Sequence, residues 1–495
     1  MNYHNKIALV LLAVCFGLIG CSSSPYQSKD WSTNKEMRQQ EINELVVQAD
    51  QYQAAGQDPS EDAVRLRSDS VAPLNARDVT PALQAIAEEL AESWYGGPCH
   101  CQVRVGPSYS FGGFTYPEGT VVIQAGTLEY LDTRDEVAAL LAHELSHLWL
   151  NHHQKNELQS TTKGITDLAQ AISLFGNDDK ARETTLRMGG STDALVAAAG
   201  FTQWNRQQET EADLLAVKIL EKSRYSPMAM IALLTKLKND KEGIPVAGSA
   251  YEEMMTVAAL KARKQEAEVS DNQLQKWLSS VASDMGGREY LSSEERRTIV
   301  RMVIYDLDGA ILARSFTDLQ IDVDALAPVT SLKTIHTYPP ASKDYAQLVD
   351  RALASEPDNL HLQLLKFRAL LARGEQQKAR EMAEAFIARP DASFSVLSEA
   401  TRFLDQQSGL SDTDKKRLMH DAVSRLADLD LPDAYVADEY YLSKRYQVPG
   451  VSALKEKLCE AGAGKVAVRE RCDLARQALE RNVSFYELLA RAESQ

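Results

Sequence analysis

The run His143-Glu144-Leu145-Ser146-His147 brings together residue types that can hold and use a hydrolytic metal. In a helix, residues four apart share a face, so both imidazoles can reach one tetrahedral zinc. Glu144, about 100° round the helix from His143, can address a water at the metal's open position. Leu145, Ser146 and Leu148 are uncharged and Trp149 is apolar, as a buried helix requires, since an unpaired charge there carries a desolvation cost. A hydrolytic zinc takes three protein ligands and leaves one position for water. The candidate third ligand is Glu209, in Arg206-Gln207-Gln208-Glu209-Thr210-Glu211-Ala212-Asp213. Asp213, one turn further on the same face, could accept the other N–H of a ligand histidine and orient it. Glu211 points elsewhere and is expected to be solvated. The chemistry would be peptide-bond hydrolysis with one Zn2+ per chain and Glu144 as the base that takes the proton of the attacking water.

Elements that could position these groups are legible around them. Asp132-Thr133-Arg134-Asp135 starts a long helix reaching about His153, with a threonine cap and acidic residues in its first turn. Ala82–Trp94 reads as an amphipathic helix, and Gln102–Val105 and Thr120–Gln124 as short strands. The second of these is expected at a sheet edge, where an extended substrate could add a strand. A second strong helix covers about Gln203–Lys222, and Pro227 starts a third that reaches Leu237. The segment 154–203 lies between the two motif helices and could act as a lid. Asp306-Leu307-Asp308-Gly309 between apolar runs suggests a hairpin. Beyond Tyr345, Glu356-Pro357-Asp358 recurs as Arg389-Pro390-Asp391 with two helical patterns between them, joined at Arg373-Gly374. That layout resembles one tetratricopeptide repeat, a unit whose arrays bind protein segments; the plain reading is a helical domain without that register.

The first motif helix, the E-x-x-A-D helix and Arg224-Tyr225-Ser226-Pro227-Met228-Ala229-Met230 together resemble the HtpX/BepA family of zinc metalloproteases, gluzincins related to the CAAX prenyl proteases. Phe114-Thr115-Tyr116-Pro117-Glu118-Gly119-Thr120-Val121-Val122-Ile123 is similar to the family's strand ahead of the zinc helix, and Asp135-Glu136 and His152 fall at family-like positions. The resemblance covers roughly residues 80–240. With a signal peptide and a tetratricopeptide-like C-terminus, the periplasmic BepA-like branch is the nearer one. That branch carries a His-Pro segment soon after its tyrosine–proline motif. Here the nearest echo is His336-Thr337-Tyr338-Pro339-Pro340, over a hundred residues later. His336 is therefore a candidate for gating or transition-state contact, against the plainer reading of a structural histidine.

The N-terminus carries Lys6, an apolar run from Ile7 to Ile19, and Leu18-Ile19-Gly20-Cys21. The run has signal-peptide length, and the tetrapeptide looks like a bacterial lipobox, which implies cleavage before Cys21 and lipid attachment there. Ser22-Ser23-Ser24 follows without a retaining aspartate, which points to the periplasmic face of a Gram-negative outer membrane. Four cysteines remain. Cys459 and Cys472 flank Ala461-Gly462-Ala463-Gly464 between two helical patterns and are expected to pair; Cys99 and Cys101 are expected as a second disulfide or as free thiols.

A net charge of −16 without a basic stripe argues against nucleic acid as a partner. The fold expected is mainly α: an α+β metalloprotease domain with a small sheet, then an all-α tetratricopeptide-like domain. Its divisions are a signal peptide over 1–20, a tether and helix over 21–75, the metallopeptidase domain over 76–240, an insertion or middle domain over 241–340, and the helical domain over 341–495. The partners expected are unfolded or other protein substrates, the membrane through the N-terminal lipid, and envelope assembly machinery through the C-terminal helices. The competing reading is a non-proteolytic periplasmic chaperone or assembly factor with a closed or vestigial zinc site.

Overall fold

Strand β3 (Thr120–Gln124) is a Thr-Val-Val-Ile-Gln run in which all five residues are buried. It is the middle strand of the sheet, not the edge strand expected from the sequence. The sheet order is β1 (Gln102–Gly106), β3, then β2 (Gly113–Thr115). β1 runs parallel to β3 with Gln102 opposite Thr120, and β2 runs antiparallel with Phe114 opposite Val122. A strand covered on both faces has no polar alternation, so its sequence does not reveal which neighbours it has.

In this computed structural model, residues 29–52, 58–109, 111–153, 206–242, 293–407, 409–429, 431, 435–448, 451–461 and 466–493 are described. Among the described residues the molecule is mainly helical with this one small sheet. Among the described residues no helix is long and apolar enough to cross a membrane. The expected signal sequence, Cys21 and the segment 154–203 lie outside the described residues, as does most of 241–292.

The chain divides into two compact units, one of residues 1–48 and 204–315, the other of 49–203 and 316–495. In the second unit, helix Val79–Tyr95 buries Leu83, Ile86, Leu90 and Trp94 along one face and ends at Gly96, whose left-handed backbone returns its N–H to Glu92. Trp94 stacks on Trp149 at a centroid distance of 6.1 Å, which joins this helix to the end of helix Arg134–Trp149. The same unit continues through helical hairpins. Leu360–Ala372 and Gln376–Ala388 stand between the two Pro-Asp turns as the sequence indicates, with Gly374 at φ 73° in their connection. Asn359 Nδ2 donates to Ala72 O at 2.8 Å, and the Glu356 carboxylate accepts the N–H groups of Asn75 and Ala76. These bonds fasten the hairpins to the segment whose Leu74 bridges to Val105 of β1. Disulfides join Cys459 to Cys472 and Cys99 to Cys101.

The first unit packs helices Arg206–Lys222, Ala229–Glu242 and Ser293–Tyr305. The Arg314 guanidinium donates to the carbonyls of Leu220, Glu221, Ser223 and Tyr225. It thereby satisfies the C-terminal carbonyls of the first of these helices, where a cation is favoured. The hairpin expected at Asp306–Gly309 is instead helical. Asp308 caps the short helix Gly309–Leu312 by accepting Ala310 N–H at 2.7 Å. An Asp-Gly pair serves a helix start as readily as a hairpin turn, and the apolar runs on either side belong to helices.

Candidate metal centre

Helix Arg134–Trp149 carries His143, Glu144 and His147, and its first turn is anchored at both ends of a capping box. Thr133 Oγ1 accepts Glu136 N–H at 3.2 Å while Glu136 Oε2 accepts Thr133 N–H at 3.1 Å. Asp135 Oδ2 accepts Thr317 N–H at 2.8 Å, and Arg134 N–H donates to Thr317 O at 2.9 Å. Every residue from Asp135 to Trp149 is buried, so beyond its acidic first turn the helix is apolar all round apart from the motif itself.

The two imidazoles converge. His143 Nε2 and His147 Nε2 lie 3.1 Å apart, with ring centroids 4.7 Å apart. Two nitrogens bound to one tetrahedral zinc at ~2.0–2.1 Å would be about 3.3 Å apart, so the rings already have nearly the spacing a shared ion imposes. His147 Nδ1 lies 2.9 Å from Nδ1 of His152, which is fully buried. For Nε2 of His147 to face a metal, Nδ1 must carry the proton and donate it to His152. The backbone aims His152 there. The helix ends at Leu150, Asn151 adopts φ 52°, and the chain folds back on the last turn; asparagine tolerates this left-handed state better than most residues. His153 then lies 3.2 Å from Thr115 Oγ1 of β2. Burial, with Arg65 and His152 nearby, lowers the His153 pKa to about 3, so this ring is neutral.

β2 also bears on Glu144. A Cβ on Gly113 would stand 2.9 Å from Glu144 Oε1 and 3.0 Å from Ile123 Cδ1, so the carboxylate rests directly on a glycine of the edge strand. Neither that contact nor the His152 contact has a spacing signature, although His152 sits at a family-like position.

Helix Arg206–Lys222 presents Glu209 and Asp213 one turn apart. Arg296 engages both, with a guanidinium nitrogen 2.6 Å from Glu209 Oε2 and Nε 2.7 Å from Asp213 Oδ2, while Nη2 donates to Asp213 Oδ1 at 2.8 Å. The aspartate expected to steady a ligand histidine thus has a guanidinium on both oxygens. Glu211, expected in solvent, is buried, and its carboxylate accepts Gln207 Nε2 at 2.7 Å. Its helix packs on more than one face, so the polar side read from the sequence is covered. Among the described residues, His143, His147 and Glu209 form a group able to hold a metal ion, their ligand atoms all within 4.8 Å of one another. Two imidazoles and one carboxylate are a donor set of catalytic zinc, so the residues present fit that ion. His336 falls in the 3-10 helix Ser331–Thr337, and its side chain is outside the described set.

Residues 80–293 match the model of peptidase family M48, a span that includes both motif helices. The beta-barrel assembly-enhancing protease of Yersinia pestis is 29% identical over 126 residues, covering 25% of this chain and 25% of that protein. Its Escherichia coli counterpart is 27% identical over 129 residues with the same coverage. The metalloprotease LoiP of Escherichia coli is 24% identical over 176 residues, which is 35% of this chain and 65% of that protein. The chain therefore spans about a quarter of the length of the assembly-enhancing relatives it matches.

Proposed function

From the match of residues 80–293 to the peptidase family M48 model, we propose that the chain is a zinc-dependent endopeptidase that hydrolyses peptide bonds of cell-envelope proteins. The observation that carries this reading is the convergence of His143, His147 and Glu209 ligand atoms within 4.8 Å, with Glu144 on the same helix as the two histidines. Zinc held by these three side chains would supply Lewis acidity, acidifying a water and polarising the scissile carbonyl. Glu144 takes the proton of the attacking water and passes it to the departing amide nitrogen. His152 keeps His147 Nδ1 protonated and its Nε2 directed to the metal position. The outer edge of β2, next to Glu144, is where an extended peptide can add as a strand.

The cellular setting rests on the lipobox-like sequence at Cys21 and on the relatives' names. The protein is read as a lipoprotein of the outer membrane facing the periplasm, acting in protein quality control. The C-terminal hairpins offer a surface for unfolded substrates or for envelope assembly machinery. Glu144→Gln tests the chemistry. Cleavage of an unfolded protein substrate should fall ~10²–10⁴-fold with zinc retained, whereas Glu209→Ala should lose the zinc. Stoichiometric zinc without Glu144-dependent cleavage would favour the chaperone reading; wild-type protein that binds no zinc would reject the metallopeptidase.

A further inference from the structure

We infer that Arg296 is a positioning residue of the metal centre, fixing the orientation in which the Glu209 carboxylate meets the ion. The inference rests on Glu209 being a metal ligand, as proposed above. Arg296 lies just beyond residue 293, where the family match ends, on helix Ser293–Tyr305. Its guanidinium takes Asp213 with two nitrogens, at 2.7 and 2.8 Å, and Glu209 Oε2 with the remaining one, at 2.6 Å. The arginine side chain is only 10% exposed and that of Asp213 1%, against 25% for Glu209.

The geometry divides the labour. A guanidinium is planar with its donors in a fixed fork, so the bidentate bond to Asp213 sets the plane of the whole group. Once that plane is fixed, the third nitrogen stands at a fixed place relative to helix Arg206–Lys222, and Glu209 is held on a rotamer that gives Oε2 to arginine. A lysine could neutralise the same charge but has no fork to transfer orientation from Asp213 to Glu209. The partners that orient metal ligands influence affinity through this kind of contact.

Arg297 supplies the internal control. It is equally buried on the same helix, but bonds Thr235 Oγ1 at 3.3 Å and Glu294, away from both acidic side chains. A purely structural role for Arg296 predicts the same consequence from losing either guanidinium.

The test is the zinc dissociation constant of the full chain, measured by competition with a chromophoric chelator, for wild type, Arg296→Met, Arg296→Lys and Arg297→Met. The melting temperature of each metal-free protein is recorded alongside. Arg296→Met should weaken zinc binding by roughly 10–100-fold, Arg297→Met by less than about 2-fold, and Arg296→Lys should fall between. Equal weakening in Arg296→Met and Arg297→Met, or unchanged or tighter binding in Arg296→Met, overturns the inference. If Arg296→Met does not fold, Arg296→Lys against Arg297→Met decides in the same way. A wild-type protein without stoichiometric zinc removes the metal-ligand reading itself, a result distinct from any difference among the variants.

Discussion

Gly113→Ala should reduce turnover while leaving fold and metal intact. Gly113 lies in β2 and is not among the glycines with positive φ, so alanine meets no backbone penalty there and slightly reduces the freedom of the unfolded chain. The added methyl, however, would sit 2.9 Å from Glu144 Oε1 and 3.2 Å from its Cδ, with Ile123 Cδ1 at 3.0 Å. Ordinary carbon–oxygen contact is several tenths of an ångström longer, and the isoleucine contact is tight as well. The carboxylate must therefore yield by about half an ångström. A misplacement of about 1 Å in a catalytic group can reduce rate on the order of 10²-fold, so kcat should fall about 10–100-fold. The atoms nearest the new methyl belong to Glu144 and Ile123 rather than to the histidines, so zinc content should be unchanged and the melting temperature should shift by no more than a few degrees. The assay is steady-state cleavage of a quenched fluorescent peptide, with metal analysis and thermal melts of the same preparations. Unchanged kcat would refute the claim that β2 sets the Glu144 position; a lost metal would show that the contact carries more than Glu144.

Two further predictions concern stability. His153 has its folded-state pKa lowered to about 3 from 6.5, chiefly by burial. The unfolded chain therefore binds a proton below pH 6.5 that the folded chain refuses, and stability falls as pH drops through the interval between those values. Between pH 7 and pH 5 this amounts to about 2 kcal/mol; His153→Gln should flatten that part of a urea-midpoint profile, and parallel profiles for the two proteins would refute the assignment. The Cys459–Cys472 disulfide closes a loop of sequence separation 13, for which the chain-entropy estimate is about 3 kcal/mol. Cys459→Ser with Cys472→Ser should lower the urea midpoint of the C-terminal helices accordingly, and an unchanged midpoint would show that neighbouring packing alone holds them.

The local parts of the site were readable because each follows from spacing within one element. Histidines four apart must share a helix face, Thr133 with Glu136 marks a helix start, and Gly374 between two apolar periodicities marks a turn between helices. The paired Cys459 and Cys472 needed only two helical patterns and a short connection. The β3 edge expectation failed because a hydrophobic run reports burial on both faces but not which strands provide it. The Asp306–Gly309 expectation failed because Asp-Gly satisfies two different local geometries, and the longer apolar runs around it decide between them.

Arg296 illustrates what spacing cannot carry. In the sequence Ser293-Glu294-Glu295-Arg296-Arg297 looks like the charged outer face of a helix, and two adjacent arginines give no hint that either is buried. Both become buried because the helix is enclosed: Arg297 beside Thr235, and Arg296 against the carboxylates of Glu209 and Asp213. A guanidinium inside a protein has to be matched by acceptors, and here the acceptors are the same acidic pair whose spacing first marked Glu209 as a ligand. The E-x-x-A-D pattern thus serves two demands at once, since Asp213 fixes the arginine and the arginine fixes Glu209. Such a coupled requirement explains why the acidic helix is legible as a pattern while the cation that organises it, lying after a long intervening segment, is not.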